Sequence, residues 1–206
     1  MSTPEVPPYE IVVIEPFAGT PENWKDLREQ SYGVRLDVFH HEQGFPAETE
    51  IDDLEDVGTH FLLRLTSGAD AGKPIGTIRT SRHTSPSTGE VYYKLSRFTV
   101  LKEYRSYKFG VRLVHAMHDY IRADVKKKNL ERTAVQTNTN ATTNEENVPN
   151  AESGTADSDA FIRVVCHSQI YIKGFYARFG YVAEGEEFLE DGAPHQNMVL
   201  RLPLEP

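Results

Sequence analysis

Short stretches of alternating or predominantly apolar residues recur along most of the chain, and turn residues separate them. Alternation of apolar and polar positions is typical of a half-buried strand. Three of these stretches follow one another closely, with Gly-, Ser- and Pro-containing turns between them, which predicts an antiparallel meander. In all, the pattern predicts strands at 9–15, 60–66, 75–82, 91–100 and 161–169, and two more in YVAEGEEFLE and HQNMVLRLP.

Helical spacing of apolar residues interrupts the strand pattern in three places. Residues 21–42 read as one or two helices, with Thr20 as the cap, Pro21 in the first turn and Gly33 as the candidate bend. A strong helix is predicted over about 108–128, and IYIKGFYARFG reads as a short helix ended by Gly180. This order of elements predicts an α/β fold with a mixed, mainly antiparallel sheet and helices on both faces.

Length and charge add limits to this interpretation. The 206 residues suffice for a single domain, 1–206. The formal net charge of −9 argues against nucleic-acid binding, which needs a basic face. Residues 131–159 are rich in Thr, Asn, Glu and Ser, so we expect a low-complexity, acidic and flexible insertion there.

Cysteine and histidine usage excludes several kinds of site. Cys166 is the only cysteine, so neither an intrachain disulfide nor a four-cysteine zinc site can form. His115 and His118 could share a helix face, but no His-Glu-x-x-His motif accompanies them, and no metal site is predicted. The sequence shows no secretory signal and no membrane-spanning run, so we expect a cytoplasmic protein without a membrane partner.

The step from strand to helix at 95–113 is the most informative place for chemistry. The segment LSRFTVLKEYRSYKFGVRL places Arg105, Lys108 and Gly110 in or next to a short turn at a helix N-terminus. Free backbone N–H groups at such a terminus bind phosphate, and glycine lets the ligand approach closely. On physical grounds this turn is a candidate pyrophosphate site, although an ordinary exposed turn has the same free groups.

These residues resemble the coenzyme-A-binding motif of the GNAT superfamily of N-acetyltransferases. In that motif a strand is followed by an Arg or Gln, a glycine-rich turn and a helix. Gly110 is the one typical glycine retained here, and Ser106 and Lys108 occupy the places of others.

Two further stretches are similar to the ElaA-like branch of that superfamily. VFHHEQGFP (38–46), followed by EIDD (50–53) and His60, resembles its N-terminal signature. FYARFGY (175–181), followed by EDGAPHQNM (190–198), resembles its C-terminal signature. The resemblance therefore extends over most of residues 24–202.

The resemblance implies a GNAT-like fold, with a V-shaped split between the strands at 91–100 and 161–169 that admits acetyl-CoA. The backbone of Phe98, Thr99 and Val100 would pair with the pantetheine arm. The backbone around Lys108, Phe109, Gly110 and Val111 would hold the pyrophosphate, with Arg105 close by. Gln169 would end the strand that diverges to admit the coenzyme.

The resemblance also implies that Tyr176 protonates the leaving thiolate after direct attack by an amine. Glu42 is the first candidate for the base or amine contact. Asp52, Asp53, His60 and His195 are candidates for substrate binding. The acidic loop around Asp52 suggests a small cationic amine, such as a polyamine or an amino sugar, although such a loop is equally often a solvated surface.

Several alternatives stay open from the sequence. The acceptor could be a protein lysine or N-terminus, with 131–159 as a gripping loop. The chain could instead be a non-catalytic coenzyme-A-binding module, or could transfer an acyl group other than acetyl. A homodimer is conceivable, since the C-terminal strands could pair across an interface.

Overall fold

The structure is a computed structural model that describes residues 5–16, 22–140 and 161–205. For residues 134–140 it describes the backbone only. Seven strands and three α-helices occur in these ranges. They are β1 (Tyr9–Ile14), α1 (Trp24–Arg35), β2 (Thr59–Leu65), β3 (Pro74–Thr84), β4 (Val91–Val100), α2 (Phe109–Asn140), β5 (Phe161–Gln169), α3 (Lys173–Ala177), β6 (Val182–Glu190) and β7 (Ala193–Pro203). A π-helical turn, Leu36–Glu42, continues α1, and short 3-10 turns occur at Ala47–Glu50, Lys102–Tyr107 and Ile170–Ile172.

The strands form one sheet in the order β1-β2-β3-β4-β5-β7-β6. β4 and β5 are parallel, and the other neighbouring pairs are antiparallel. The predicted mixed, mainly antiparallel sheet is confirmed. The parallel pair requires a crossover, which contains α2, because a tight hairpin can join only antiparallel strands.

β4 and β5 pair along only part of their length. Their ladder runs from Tyr92 opposite Arg163 to Leu95 opposite Cys166. Beyond that point each strand continues, to Val100 and to Gln169, without pairing to the other. This divergence is the predicted V-shaped split, and it opens the middle of the sheet.

A bulge bends β4 at the start of the split. The register with β3 shifts between Thr77 and Arg79, so that Arg97 and Phe98 together oppose one residue of β3. Arg97 has a φ of 51°, a left-handed conformation that is unusual outside glycine. The extra residue turns the edge of β4 away from β5.

Helices cover both faces of the first four strands. Phe61 and Leu63 of β2 pack into the main core with Leu113 and Met117 of α2. Leu62, which alternates to the other face, packs with Leu27 of α1. The period of two in the strand and the helical spacing of the apolar stripes therefore produce the predicted two-sided architecture.

Three local predictions need correction or lie outside the described residues. α1 passes through Gly33 without a bend, and the helix changes to π geometry at Leu36 instead. α2 continues to Asn140, so residues 131–140 of the predicted insertion extend a helix. Residues 141–159, with Thr20 and Pro21, lie outside the described part. No described helix is long and apolar enough to cross a membrane.

Candidate active site

A cavity of about 760 Å³ occupies the split between β4 and β5. One end is lined by the diverging part of β4, the turn before α2 and the helix α3. The other end is lined by the 47–54 loop and by residues of β5, β6 and β7. The cavity is therefore continuous from the helix N-terminus, where an anion can bind, to a cluster of polar side chains.

The edge of β4 that borders the split has free pairing positions. Ser96, Thr99 and Val100 pair with β3 on one side, while β5 has already diverged on the other. The Arg105 side chain donates from Nε to the Val100 carbonyl at 2.9 Å. The Phe98 ring stacks on Phe175 of α3, with ring centroids 5.3 Å apart. An extended ligand can lie along this edge as an additional strand.

The turn before α2 presents two backbone amides. Within the described residues, the N–H groups of Phe109 and Gly110 make no backbone hydrogen bond, whereas the N–H of Val111 bonds to the Lys108 carbonyl at 3.1 Å. Of the amides predicted for the pyrophosphate, that of Val111 is therefore already engaged within the turn. The Phe109 side chain is fully buried in the core, so only its backbone faces the turn.

Lys108 and Gly110 determine the shape of this turn. Lys108 has a φ of 60°, the left-handed conformation that explains why glycine is typical at this place in the motif. A Cβ on Gly110 would lie 3.0 Å from Cζ of Phe98. A larger residue at 110 would therefore fit only if the Phe98 ring moved.

Tyr176 lies at the floor of the cavity, where α3 meets β5. It lines the cavity, yet its side chain is only 3% exposed. The rings of Phe98, Phe175 and Tyr181 surround it. Burial, with a smaller effect of Cys166, raises the pKa of Tyr176 well above its usual value, so the hydroxyl keeps its proton at neutral pH.

Glu42 and Gln169 both line the cavity. Glu42 accepts two hydrogen bonds from Arg105, each 2.7 Å long. The bond from Arg105 lowers the pKa of Glu42, which makes this carboxylate a poor proton acceptor. Gln169 donates to the side chain of Gln43 at 3.2 Å. The structure thus brings both predicted residues to the site, but Glu42 is already engaged in an ion pair with Arg105.

The acidic loop is neutralised by buried arginines. Asp52 receives a two-pronged contact from Arg79, with distances of 2.6 and 2.7 Å, and a third bond of 3.0 Å from Arg97. Arg79 also binds Glu55 at 2.6 Å, and Arg35 binds Glu50 at 3.1 Å. Burial by itself would raise the pKa of Asp52, but the bonds from Arg79 and the charges of Arg79 and Arg97 lower it to about 2.

Two predicted substrate residues lie away from the cavity. Asp53 is exposed and does not line it. His60 is buried and makes a 3.0 Å contact with the Glu55 carbonyl, and burial lowers the pKa of His60 to about 4. The structure therefore does not bring these two residues to the cavity, because the chain between them folds as a salt-bridged loop with its carboxylates bound to arginines.

The other end of the cavity contains histidines, of which the sequence interpretation had selected only one. His195, a predicted substrate residue, lines the cavity and approaches the Ala193 carbonyl with Nδ1 at 2.9 Å. His167 also lines the cavity, and its Nδ1 lies 3.0 and 3.1 Å from the two carboxylate oxygens of Glu190. Sequence reasoning missed His167 and Glu190 because strand pairing joins them across 23 residues. One signal in the sequence could have indicated His167, because it stands directly before the end of an apolar strand, where that strand was expected to diverge.

The described residues contain no group of three or more His, Cys, Asp or Glu side chains that could hold a metal ion. Cys166 is buried, and burial raises the pKa of its thiol, which keeps it protonated. A thiol in that state is a weak nucleophile. The site therefore presents hydrogen-bond donors and proton-transfer groups around an open edge.

These features define the acyl-CoA N-acyltransferase fold, and comparison with solved structures agrees. A putative N-acetyltransferase from Lactobacillus plantarum aligns with a TM-score of 0.58 and 22% identity, over 95% of this chain and 99% of that one. Escherichia coli ElaA aligns with a TM-score of 0.53 and 21% identity, over 93% and 98%. ElaA is the protein whose branch the N- and C-terminal motifs resemble.

Sequence comparison points to the same superfamily. The family model described as the acetyltransferase (GNAT) domain matches residues 150–202. The uncharacterized N-acetyltransferase YjcF of Bacillus subtilis is 29% identical over 179 residues, which are 86% of this chain and 94% of YjcF. These matches confirm the predicted resemblance to the GNAT superfamily and support an acyl-CoA-dependent acyltransferase. The alternative of a non-catalytic coenzyme-binding module is not retained.

Proposed function

We propose that the protein transfers the acetyl group of acetyl-CoA to a primary amine of a small molecule. The observation that carries this proposal is the split in the sheet, with an unpaired edge of β4 leading to two free amides at the start of α2. The thioester of the coenzyme supplies the activated acetyl group. The residues of this chain bind and orient it and move protons.

The binding residues form a continuous track. The edge of β4 from Phe98 to Val100 offers backbone groups to the amides of a pantetheine arm. The N–H groups of Phe109 and Gly110 point to where a pyrophosphate would lie, and the positive end of the α2 dipole favours an anion there. Arg105 and Lys108 add positive charge beside these amides. The close contact between Gly110 and Phe98 keeps this track narrow.

Tyr176 is the general acid in this proposal. The leaving thiolate needs a proton, and a hydroxyl that stays protonated at neutral pH can donate one. The aromatic rings around Tyr176 fix its orientation and exclude water. No acyl-enzyme is required, because the amine attacks the thioester directly.

For the acceptor we propose a small primary amine and no narrower chemical class. The sequence suggested a polyamine or an amino sugar because of the acidic loop, but Asp52, Glu50 and Glu55 are bound to arginines in the structure. The loop is therefore not available to attract a cation. Recognition of the amine falls to the other polar residues that line the cavity.

The test is an assay of thiol release from acetyl-CoA over a panel of polyamines, amino sugars, amino acids and a peptide with a free N-terminus. We expect turnover with at least one small amine. Turnover of the peptide alone would assign the protein to the peptide acetyltransferases, and turnover with a longer acyl-CoA but not with acetyl-CoA would correct the acyl group.

A pair of variants then tests the general acid. Tyr176→Phe should lower kcat by about 10²- to 10⁴-fold while acetyl-CoA binding is retained. Tyr181→Phe is the matched control, because Tyr181 belongs to the same aromatic cluster but its hydroxyl contacts His118. Equal losses in the two variants would contradict the role of Tyr176.

A further inference from the structure

His167 occupies the apex of the split. The last residue of β5 that pairs with β4 is Cys166, opposite Leu95, and His167 is the next residue along the strand. Cys166 is buried in the core, so the alternation of β5 directs His167 to the other face of the sheet, where it lines the cavity. An acetyl group carried into the split would arrive next to this position.

The contact with Glu190 determines which nitrogen of His167 is free. A carboxylate can only accept hydrogen bonds, so Nδ1, at 3.0 and 3.1 Å from its two oxygens, must be the protonated nitrogen. In the neutral ring, Nε2 then carries the lone pair. The Phe188 ring packs edge-on against His167, with centroids 5.0 Å apart, and holds the plane of the imidazole.

Glu190 is kept ionised by its surroundings. The hydrogen bond from His167 lowers the pKa of Glu190, and the charges of His167, Lys94 and His195 act in the same direction. The groups that face this pair are thus Lys94 of β4, Asp191 after β6 and His195 of β7. The Glu190 carboxylate, hydrogen-bonded to Nδ1, stabilises the imidazolium ion that forms when Nε2 accepts a proton.

We propose that the acceptor amine binds at His167, that Nε2 of His167 takes the proton from its ammonium group, and that Glu190 positions the ring. This inference rests on the proposed function. One N–H bond of the ammonium breaks and the proton moves to Nε2. The amine lone pair then attacks the thioester carbonyl carbon, the C–S bond breaks, and Tyr176 protonates the sulfur. The attacking nitrogen loses a second proton, which restores the Tyr176 hydroxyl, and the imidazolium ion releases its proton to water.

Two other carboxylates that line the cavity are already engaged. Glu42 is bound to Arg105 through both oxygens, and Asp52 is bound to Arg79 and Arg97. His195 is the one serious competitor, because its Nδ1 can donate to the Ala193 carbonyl and leave Nε2 free. Its hydrogen bond, however, is to a carbonyl, whereas Nδ1 of His167 is hydrogen-bonded to a carboxylate.

The experiment is the pH profile of kcat/KM for the best amine of the panel, measured for the wild type, His167→Gln, Glu190→Gln and His195→Gln. We expect the wild type to lose activity on the acid side. His167→Gln should lower kcat by about 10²-fold or more and abolish that acid limb, because glutamine does not titrate. Glu190→Gln should shift the acid limb to lower pH, a change that a merely structural role would not produce.

Controls separate chemistry from folding. Thermal unfolding with and without acetyl-CoA shows whether each variant is folded and binds the coenzyme. His83→Gln is the matched control, since His83 contacts Ser81 and does not line the cavity, and it should retain the wild-type profile.

An unchanged rate and profile in His167→Gln, or loss of the acid limb in His195→Gln alone, would overturn the assignment while leaving the acetyltransferase proposal intact. Absence of turnover by the wild type with every amine would instead refute the proposed function itself.

Discussion

Arg105 binds Glu42 through two parallel hydrogen bonds of 2.7 Å, Nη1 to Oε1 and Nη2 to Oε2. The two residues are 63 positions apart, and their contact joins the π-helical turn after α1 to the turn before α2. The same arginine donates from Nε to the Val100 carbonyl. Glu42 therefore holds the cation that stands beside the proposed pyrophosphate position.

Glu42→Gln should leave the acid limb of the pH profile in place, because a carboxylate with a lowered pKa is not the group that titrates there. The substitution frees Arg105 for a phosphate, so the KM for acetyl-CoA should fall, by up to about fivefold for a partly exposed ion pair. Steady-state kinetics at varied acetyl-CoA measure both effects. Arg105→Gln should raise that KM, and loss of the acid limb in Glu42→Gln would restore Glu42 as the base.

Lys108→Gly should be more stable than Lys108→Ala by about 1 kcal/mol. Both changes remove the ammonium group, but only glycine adopts the left-handed conformation of residue 108 without strain. Urea unfolding of the two variants isolates the strain, since the loss of charge is common to both. Equal stabilities would mean that the turn relaxes to another conformation in solution.

Gly110→Ala should fail to gain the stability that Gly33→Ala gains. Alanine at Gly33 meets no atom within 4 Å and should stabilise α1 by about 0.5–1 kcal/mol. The same methyl group at Gly110 would press on Phe98, which must then move against Phe175. Chemical denaturation compares the two variants, and acetyl-CoA affinity should fall in Gly110→Ala alone.

Asp52→Asn should reduce stability at pH 7 by about 1–2 kcal/mol, after allowance for screening of a side chain that is 34% exposed. The folded-state pKa of about 2 lies below the unfolded value of 3.8. The stabilisation by Asp52 is therefore complete above pH 4 and is lost as the pH falls towards 2.

Unfolding by denaturant between pH 7 and 2 measures this effect, and the variant should show a shallower acid dependence than the wild type. Asp56→Asn, at an exposed carboxylate, is the control and should change little. A wild-type acid dependence in Asp52→Asn would show that Asp52 is not the source of the effect.

The spacing of apolar residues predicted the fold closely, because it indicates which side chains are buried. The strands at 91–100 and 161–169 match β4 and β5 residue for residue. The end of α2 was placed too early because residues after Asn129 carry few apolar side chains, and a helix without a buried face leaves no periodic signal. The bulge at Arg97 was also not predicted, since nothing in RFTV indicates a left-handed residue.

The coenzyme side of the site was predictable, whereas the acceptor side was not. Gly110 and Arg105 are close in sequence, so one motif reveals them together. His167 and Glu190 are in contact only because β5, β7 and β6 are neighbours in the sheet. No local sequence pattern predicts that strand order. The carboxylates of the 48–56 loop looked available because their partners, Arg35 and Arg79, lie in distant elements.

The parallel ladder between β4 and β5 has consequences for how the fold responds to its ligand. Within the described ranges, four residue pairs, from Tyr92–Arg163 to Leu95–Cys166, join the β1–β4 half of the sheet to the β5–β7 half by backbone pairing. A molecule lying along the open edge of β4 would extend this narrow junction. Amide hydrogen exchange in β5 would then slow on ligand binding, and the two halves of the sheet would unfold as one cooperative unit rather than separately.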